Sequence, residues 1–124
     1  MERFRDAQRK GAGAGMGAGY EAALAEIRAG RKITHWIWYI FPQIQGLGFS
    51  AMTQRYAIKD VDEARRYLCD DTLGPRLREI TSAMLALEGR SALEILGSPD
   101  DMKVRSCMTL FDYICPHDIF EQVL

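Results

Sequence analysis

The sequence predicts an all-α fold, a compact multihelical single domain with a short buried central helix. Apolar residues recur at helical spacing along most of the chain, and capping residues or Gly and Pro stops bracket those stretches. No two runs alternate as a pair of strands would. With 124 residues, 48% of them hydrophobic and 27% charged, the composition is that of one globular domain.

A glycine and alanine run at residues 11–19 comes first. Ordering so many glycines costs entropy, so the run predicts a flexible linker. Residues 1–19 are then an N-terminal segment with its linker, and residues 20–124 form the helical domain. The run loosely fits a dinucleotide-binding loop, but the polar residues before it do not form a buried strand, so no cofactor is predicted.

The first full helix begins at Tyr20, because one face carries apolar residues at helical spacing until Gly30 provides a stop. The run Ile33–Phe41 is bulky on both faces, which predicts a short helix buried all round. Its β-branched and aromatic residues also suit a strand, but no partner strand is present. Pro42 and two glycines make residues 42–50 a shaped loop.

The later helices are predicted from residues typical of a first helical turn, either a capping pair or a proline. The residues are Asp60 with Glu63, Pro75, Ser91 with Glu94, and Ser98 with Asp101. The Pro75 helix shows the clearest apolar spacing and stops at Gly89, and the last helix runs to about Cys115.

The distribution of charge along the chain narrows the kinds of partner the protein can bind. Residues 1–59 hold nine basic and four acidic residues, whereas residues 60–124 hold seven and thirteen. Either the two halves attract each other, or the basic half meets an anionic partner. The sequence does not favour a nucleic-acid partner, because no dense basic run occurs and the pI is about 6.1.

The longest apolar stretch has six residues, against ~20 for a membrane span, so we expect a cytoplasmic protein without a membrane partner. The N-terminus also lacks the apolar core of a signal peptide. Three cysteines without a Cys-x-x-Cys pair indicate reduced thiols and no metal site.

Two segments carry the candidate site residues. Trp38 and Gln43 offer an aromatic face and an amide for a small polar ligand, and His35 is the candidate catalytic acid or base. The start of the last helix leaves backbone N–H groups open beside further candidate ligand-binding residues, which are Lys103, Arg105 and Ser106.

Each of these residues also has a structural interpretation. The histidine can be a hydrogen-bonded structural residue, and the tryptophans can be core. The polar side of the last helix can be a solvated face on which Arg105 pairs with Asp101, one turn earlier. The cysteine on the apolar side of that helix, Cys107, is a poor candidate nucleophile.

The chain resembles the small, mostly bacterial family known as domain of unknown function eighteen-ten, over nearly all of residues 20–124. The stretches that carry the resemblance include Arg-Ala-Gly-Arg-Lys at 28–32, His-Trp-Ile-Trp at 35–38, Phe-Pro-Gln at 41–43, Gln-Arg-Tyr-Ala-Ile at 54–58, Leu-Gly-Pro-Arg-Leu at 73–77, Gly-Ser-Pro-Asp-Asp at 97–101 and Met-Thr-Leu-Phe at 108–111. The resemblance implies a compact multihelical fold and no established activity. Some members are labelled calpastatin, but that inhibitor is a disordered repeat protein, unlike this dense globular chain.

Two departures from the family pattern stand out. The glycine and alanine run looks like an insertion, and the apolar pattern at residues 117–124 stops where similar proteins continue for another helical stretch. If that stretch is lacking, the exposed apolar face predicts self-association.

The sequence therefore predicts an interaction or regulatory module without chemistry of its own. The alternative is a protein or enzyme that binds a small anionic ligand. Its site would lie between the His-Trp and Phe-Pro-Gln loop and the Ser-Pro-Asp-Asp helix start. The expected partner is accordingly another protein or a small anion.

Overall fold

The computed structural model describes residues 1–11, 19–46, 50–87 and 89–123. In these ranges the chain is helical apart from its connections, and an isolated parallel bridge joins Ile44 and Ile58. The helices are α1 (Glu2–Lys10), α2 (Tyr20–Arg28), α3 (Ile37–Ile40), α4 (Ala51–Arg55), α5 (Val61–Cys69), α6 (Leu73–Leu85), α7 (Ala92–Leu96), α8 (Asp100–Ile114) and α9 (Ile119–Val123). The predicted all-α class is confirmed.

The predicted central helix exists as α3, and it is shorter than expected. Tyr39 and the flanking Trp36 and Phe41 are completely buried, which confirms a buried central element. The predicted start at Ile33 is wrong, because the backbone N–H groups of Ile33 and the residue after it donate to Glu26 Oε1 over 2.6 and 2.9 Å. Those bonds hold the segment outside the helix and leave Ile33 73% exposed.

The N-terminal helix α1 packs into the same core as the rest of the chain. Phe4 is completely buried and meets Tyr67 edge to face, with ring centroids 5.1 Å apart. Arg3 adds an ion pair of 2.8 Å to Glu63 on α5. The sequence predicts that residues 1–19 are separate from the helical domain, whereas this apolar contact makes α1 part of the domain's core. Most of the predicted linker, residues 12–18, lies outside the described residues.

The helix starts agree with the predicted caps in two of three cases. Asp60 accepts from the backbone N–H of Glu63 over 2.8 Å, and Ser91 forms a complete capping box with Glu94. The predicted cap at Ser98 is wrong. Helix α8 begins at Asp100 after Pro99, which has no hydroxyl to offer, and its first turn has no side-chain cap.

Two helices, α1 and α4, are absent from the predictions, although Ser50 caps α4 by accepting from Thr53 N over 3.1 Å. At the other end, α9 packs on α6 and α8, where Phe120 is buried against Phe111. Self-association through this apolar segment stays a prediction. None of the helices that the structure describes combines the length and apolar character needed to cross a lipid bilayer.

Candidate functional site

Three of the predicted site residues meet where α3 faces the start of α8. Trp38 is half-buried on α3, and Lys103 Nζ lies 5.7 Å from the centroid of its ring. Gln43 lines the same pocket. The space between them is about 20 Å³, which is room for a single water molecule. This pocket therefore does not admit a sugar phosphate or a nucleotide without rearrangement.

The positive charges beside this pocket are already paired within the protein. Lys32 Nζ lies 2.8 Å from Asp100 Oδ2, and Lys103 Nζ lies 3.8 Å from Asp100 Oδ1. The side chain of Lys32 is only 7% exposed, and its ammonium also lies 5.1 Å from the Trp36 ring. A bound anion would have to compete with Asp100 for both lysines. Small-anion binding at this helix start stays a prediction.

His35 lies apart from the pocket. Its side chain is exposed, and it makes no hydrogen bond within the described part of the chain. The neighbouring residues are instead held by Glu26, whose carboxylate accepts from Thr34 Oγ1 over 2.6 Å and from Trp36 Nε1 over 2.9 Å. Burial alone would raise the pKa of Glu26, but these bonds and those from the backbone outweigh it and lower the pKa.

Glu26 was not predicted from the sequence. It lies on the polar side of α2, where a carboxylate is unremarkable, and nothing in the spacing shows that the chain folds back onto it.

The remaining predicted residues, Arg105 and Ser106, line a different surface. This is an open groove of about 730 Å³ along α8, which we name the α8 groove. Its walls are Ile44, Val61, Met102, Arg105, Ser106, Thr109, Leu110 and Tyr113. Met102 is 67% exposed and Tyr113 is 69% exposed, so two large apolar side chains stand open to solvent.

Arg105 is the one charged side chain among the described residues that line the α8 groove. The predicted ion pair with Asp101 is wrong. No described carboxylate lies within 4.0 Å of the Arg105 guanidinium, although one turn separates the two residues on the helix. Arg105 is exposed and therefore open to a partner.

Among the described residues, neither a metal-binding cluster nor a reactive thiol on α8 is present. In those ranges no group of three or more His, Cys, Asp or Glu side chains is arranged to hold a metal ion. Cys107 is completely buried, and burial raises the pKa of its thiol well above the usual value. A thiol in that environment stays protonated and is a poor nucleophile.

Comparison with known proteins identifies the family. The chain is 44% identical to the conserved hypothetical protein Rv1873 from Mycobacterium tuberculosis, whose solved structure it matches with a TM-score of 0.88. The match covers 99% of this chain and 83% of that one. A comparison with curated proteins gives no match. The family model described as protein of unknown function (DUF1810) matches residues 1–124. The chain therefore belongs to the DUF1810 family.

Proposed function

We propose that this protein is an interaction module and that the α8 groove binds a short segment of a partner protein. The segment carries apolar side chains and one carboxylate. One observation carries the proposal. Two exposed apolar side chains, Met102 and Tyr113, lie on the same helix as Arg105, which forms no ion pair with any described residue.

The apolar part of the groove supplies the attraction. Large exposed apolar side chains grouped on one surface are typical of interaction sites. Met102 has a flexible side chain that adapts to different partners, and tyrosine is enriched among the residues that dominate binding energy. Full burial of such a side chain contributes about 1.5–3 kcal/mol, so the two anchors supply only part of the binding free energy. The Arg105 ion pair and the remaining lining residues must supply the rest, because association also costs translational and rotational freedom.

The charge of the groove selects the partner. The other described lining residues are uncharged, so Arg105 would repel a basic segment, and a purely apolar segment would leave the guanidinium without a partner. A guanidinium binds a carboxylate through two parallel hydrogen bonds, which gives direction as well as energy. An acidic, apolar segment fits both features.

We also place the protein in the cytoplasm. Cys69, Cys107 and Cys115 are free cysteines, and exposed Cys69 in particular suits a reducing compartment.

The proposal is tested by selecting short random peptides on the immobilised protein and measuring the affinity of the enriched sequences. We expect Asp or Glu beside Leu, Phe or Met in those peptides, and Arg105→Glu should weaken their binding by about tenfold or more. The matched control is Arg66→Glu, which makes the same charge change at an exposed position on α5 outside the groove. Equal loss of affinity in both variants, or enrichment of basic peptides, contradicts the proposal.

A further inference from the structure

A separate cavity lies where α1 meets the end of α4, and most of the charged side chains that line it are basic. Its volume is about 230 Å³, and it is lined by Arg3, Asp6, Ala7, Lys10, Gly11, Arg55 and Tyr56. None of these residues lines the α8 groove. Three of the nine basic residues of the positive half of the sequence therefore meet at one place, although they are up to 52 positions apart in the chain.

Arg3 is held rigidly at the wall of this cavity. Its Nε donates to the backbone oxygen of Arg55 over 2.9 Å, and its Nη2 donates to the backbone oxygen of Ala57 and to Glu63, both over 2.8 Å. Nη1 makes no hydrogen bond to any described residue and stays free to donate. A guanidinium fixed in this way loses little freedom when it binds a ligand.

The other two cations of the cavity have no carboxylate partner among the described residues. Arg55 lies over the Tyr56 ring, with its Cζ atom 5.4 Å from the centroid, and Lys10 is exposed. Neither forms an ion pair with a carboxylate in the described ranges. The acidic lining residue, Asp6, is itself 3.4 Å from the guanidinium of Arg9.

The cavity therefore has a surplus of positive charge. Glu63 already pairs with Arg3, and Asp6 already pairs with Arg9, so no carboxylate in the described part of the chain compensates the charges of Lys10 and Arg55. An anion that enters the cavity displaces no ion pair. This differs from the start of α8, where Asp100 occupies both lysines.

We propose that this cavity binds the phosphate of a small phosphomonoester or diphosphate. Two arginines and a lysine around one space suit the several oxygens and the multiple charge of a phosphate. Arg3 supplies a fixed donor, and the exposed side chains of Lys10 and Arg55 can turn towards the ligand. The cavity volume of about 230 Å³ accommodates two linked phosphate groups.

The test is calorimetric titration of the full chain with inorganic pyrophosphate. Saturable binding is expected for the wild type, and Arg55→Gln and Lys10→Gln should each weaken it by about tenfold, the value of one charge-assisted hydrogen bond. The control Arg66→Gln removes the same charge from an exposed arginine away from the cavity and should leave the affinity unchanged. Circular dichroism verifies that each variant is folded.

Three results would overturn the phosphate site. They are the absence of saturable binding by the wild type, equal weakening in Arg66→Gln, and equal affinity for citrate, a carboxylate polyanion. The last result would show that the cavity responds to charge alone. The phosphate cavity and the α8 groove share no lining residue, so a negative result here does not bear on the proposal that the α8 groove binds a peptide.

Discussion

The indole N–H of Trp36 donates to Glu26 Oε1 over 2.9 Å, and this bond links the end of the loop before α3 to helix α2. The same carboxylate accepts from Ile33, from the Thr34 backbone and from the Thr34 hydroxyl. One side chain thus replaces the helical hydrogen bonds that residues 33–36 would otherwise make. The position of α3, and with it that of Trp38, depends on this arrangement.

Replacing Glu26 by Gln should lower the free energy of unfolding by about 1–3 kcal/mol, because the amide loses the charge that strengthens these bonds. Urea denaturation measures the loss. Glu21→Gln is the control, since Glu21 is exposed on the same helix and the change there should stay within about 1 kcal/mol. Equal decreases in the free energy of unfolding in the two variants would show that the hydrogen bonds to Glu26 do not stabilise the fold beyond the effect of removing a surface charge.

The pH dependence of stability should show the ion pair between Arg5 and Asp70, whose atoms Nη2 and Oδ2 lie 2.8 Å apart. Burial alone would raise the pKa of Asp70, but hydrogen bonds from Arg5 and from the backbone of Leu73 and Thr72 lower it from 3.8 to about 2. Because the pKa of Asp70 is lower in the folded protein than in the unfolded chain, the ionised carboxylate stabilises the fold at pH values above the unfolded-state pKa. This stabilisation is lost as the pH falls through the folded-state pKa.

Asp70→Asn should therefore be less stable than the wild type at neutral pH. The difference should shrink as the pH falls from about 4 towards about 2, because the wild-type carboxyl then also becomes neutral. Denaturation at a series of pH values measures this. A difference that stays constant over the whole range would contradict the assignment.

The two tryptophans should differ in their effect on stability. Trp36 is completely buried, so Trp36→Ala should cost roughly 3–5 kcal/mol. Trp38 is half-buried and one of its faces is covered by Lys103, so Trp38→Ala should cost clearly less. Wild-type thermal stability in Trp36→Ala would exclude Trp36 from the core.

Two methionines on α8 provide a matched pair for the groove. Met108 is completely buried and Met108→Ala should cost about 2–5 kcal/mol. Met102 is 67% exposed, so Met102→Ala should change stability by no more than about 0.5 kcal/mol while weakening peptide binding. A large loss of stability in Met102→Ala would mean that the residue serves the fold rather than a partner.

Local patterns predicted much of the fold. The helices that begin after Asp60 and Ser91 follow from caps that involve neighbouring residues only, and both caps form as expected. The start of α3 could not be predicted in the same way, because Glu26 acts on Ile33 through a chain reversal that no local pattern records. The same holds for α1, whose burial depends on the distant Tyr67.

The candidate site was predicted in part. Trp38, Gln43 and Lys103 do come together, because α3 packs against α8. Arg105 does not join them. It lies two positions after Lys103 on the same helix, and each residue rotates the side-chain direction by about 100°, so Arg105 faces almost the opposite side. That separation follows from helical geometry, and it divides the predicted residues between the small pocket and the α8 groove. The cavity between α1 and α4 could not be predicted from local patterns, because its residues are distant from one another in the sequence.

The most direct test of the interaction proposal is to map the bound peptide by NMR, following the amide signals of the full chain during titration with the tightest selected peptide. We predict that the largest shift changes cluster at Met102, Arg105, Thr109 and Tyr113, along one side of α8. Changes centred instead on Trp38 and Gln43, or spread evenly over the surface, would contradict the assignment of the α8 groove as the binding surface.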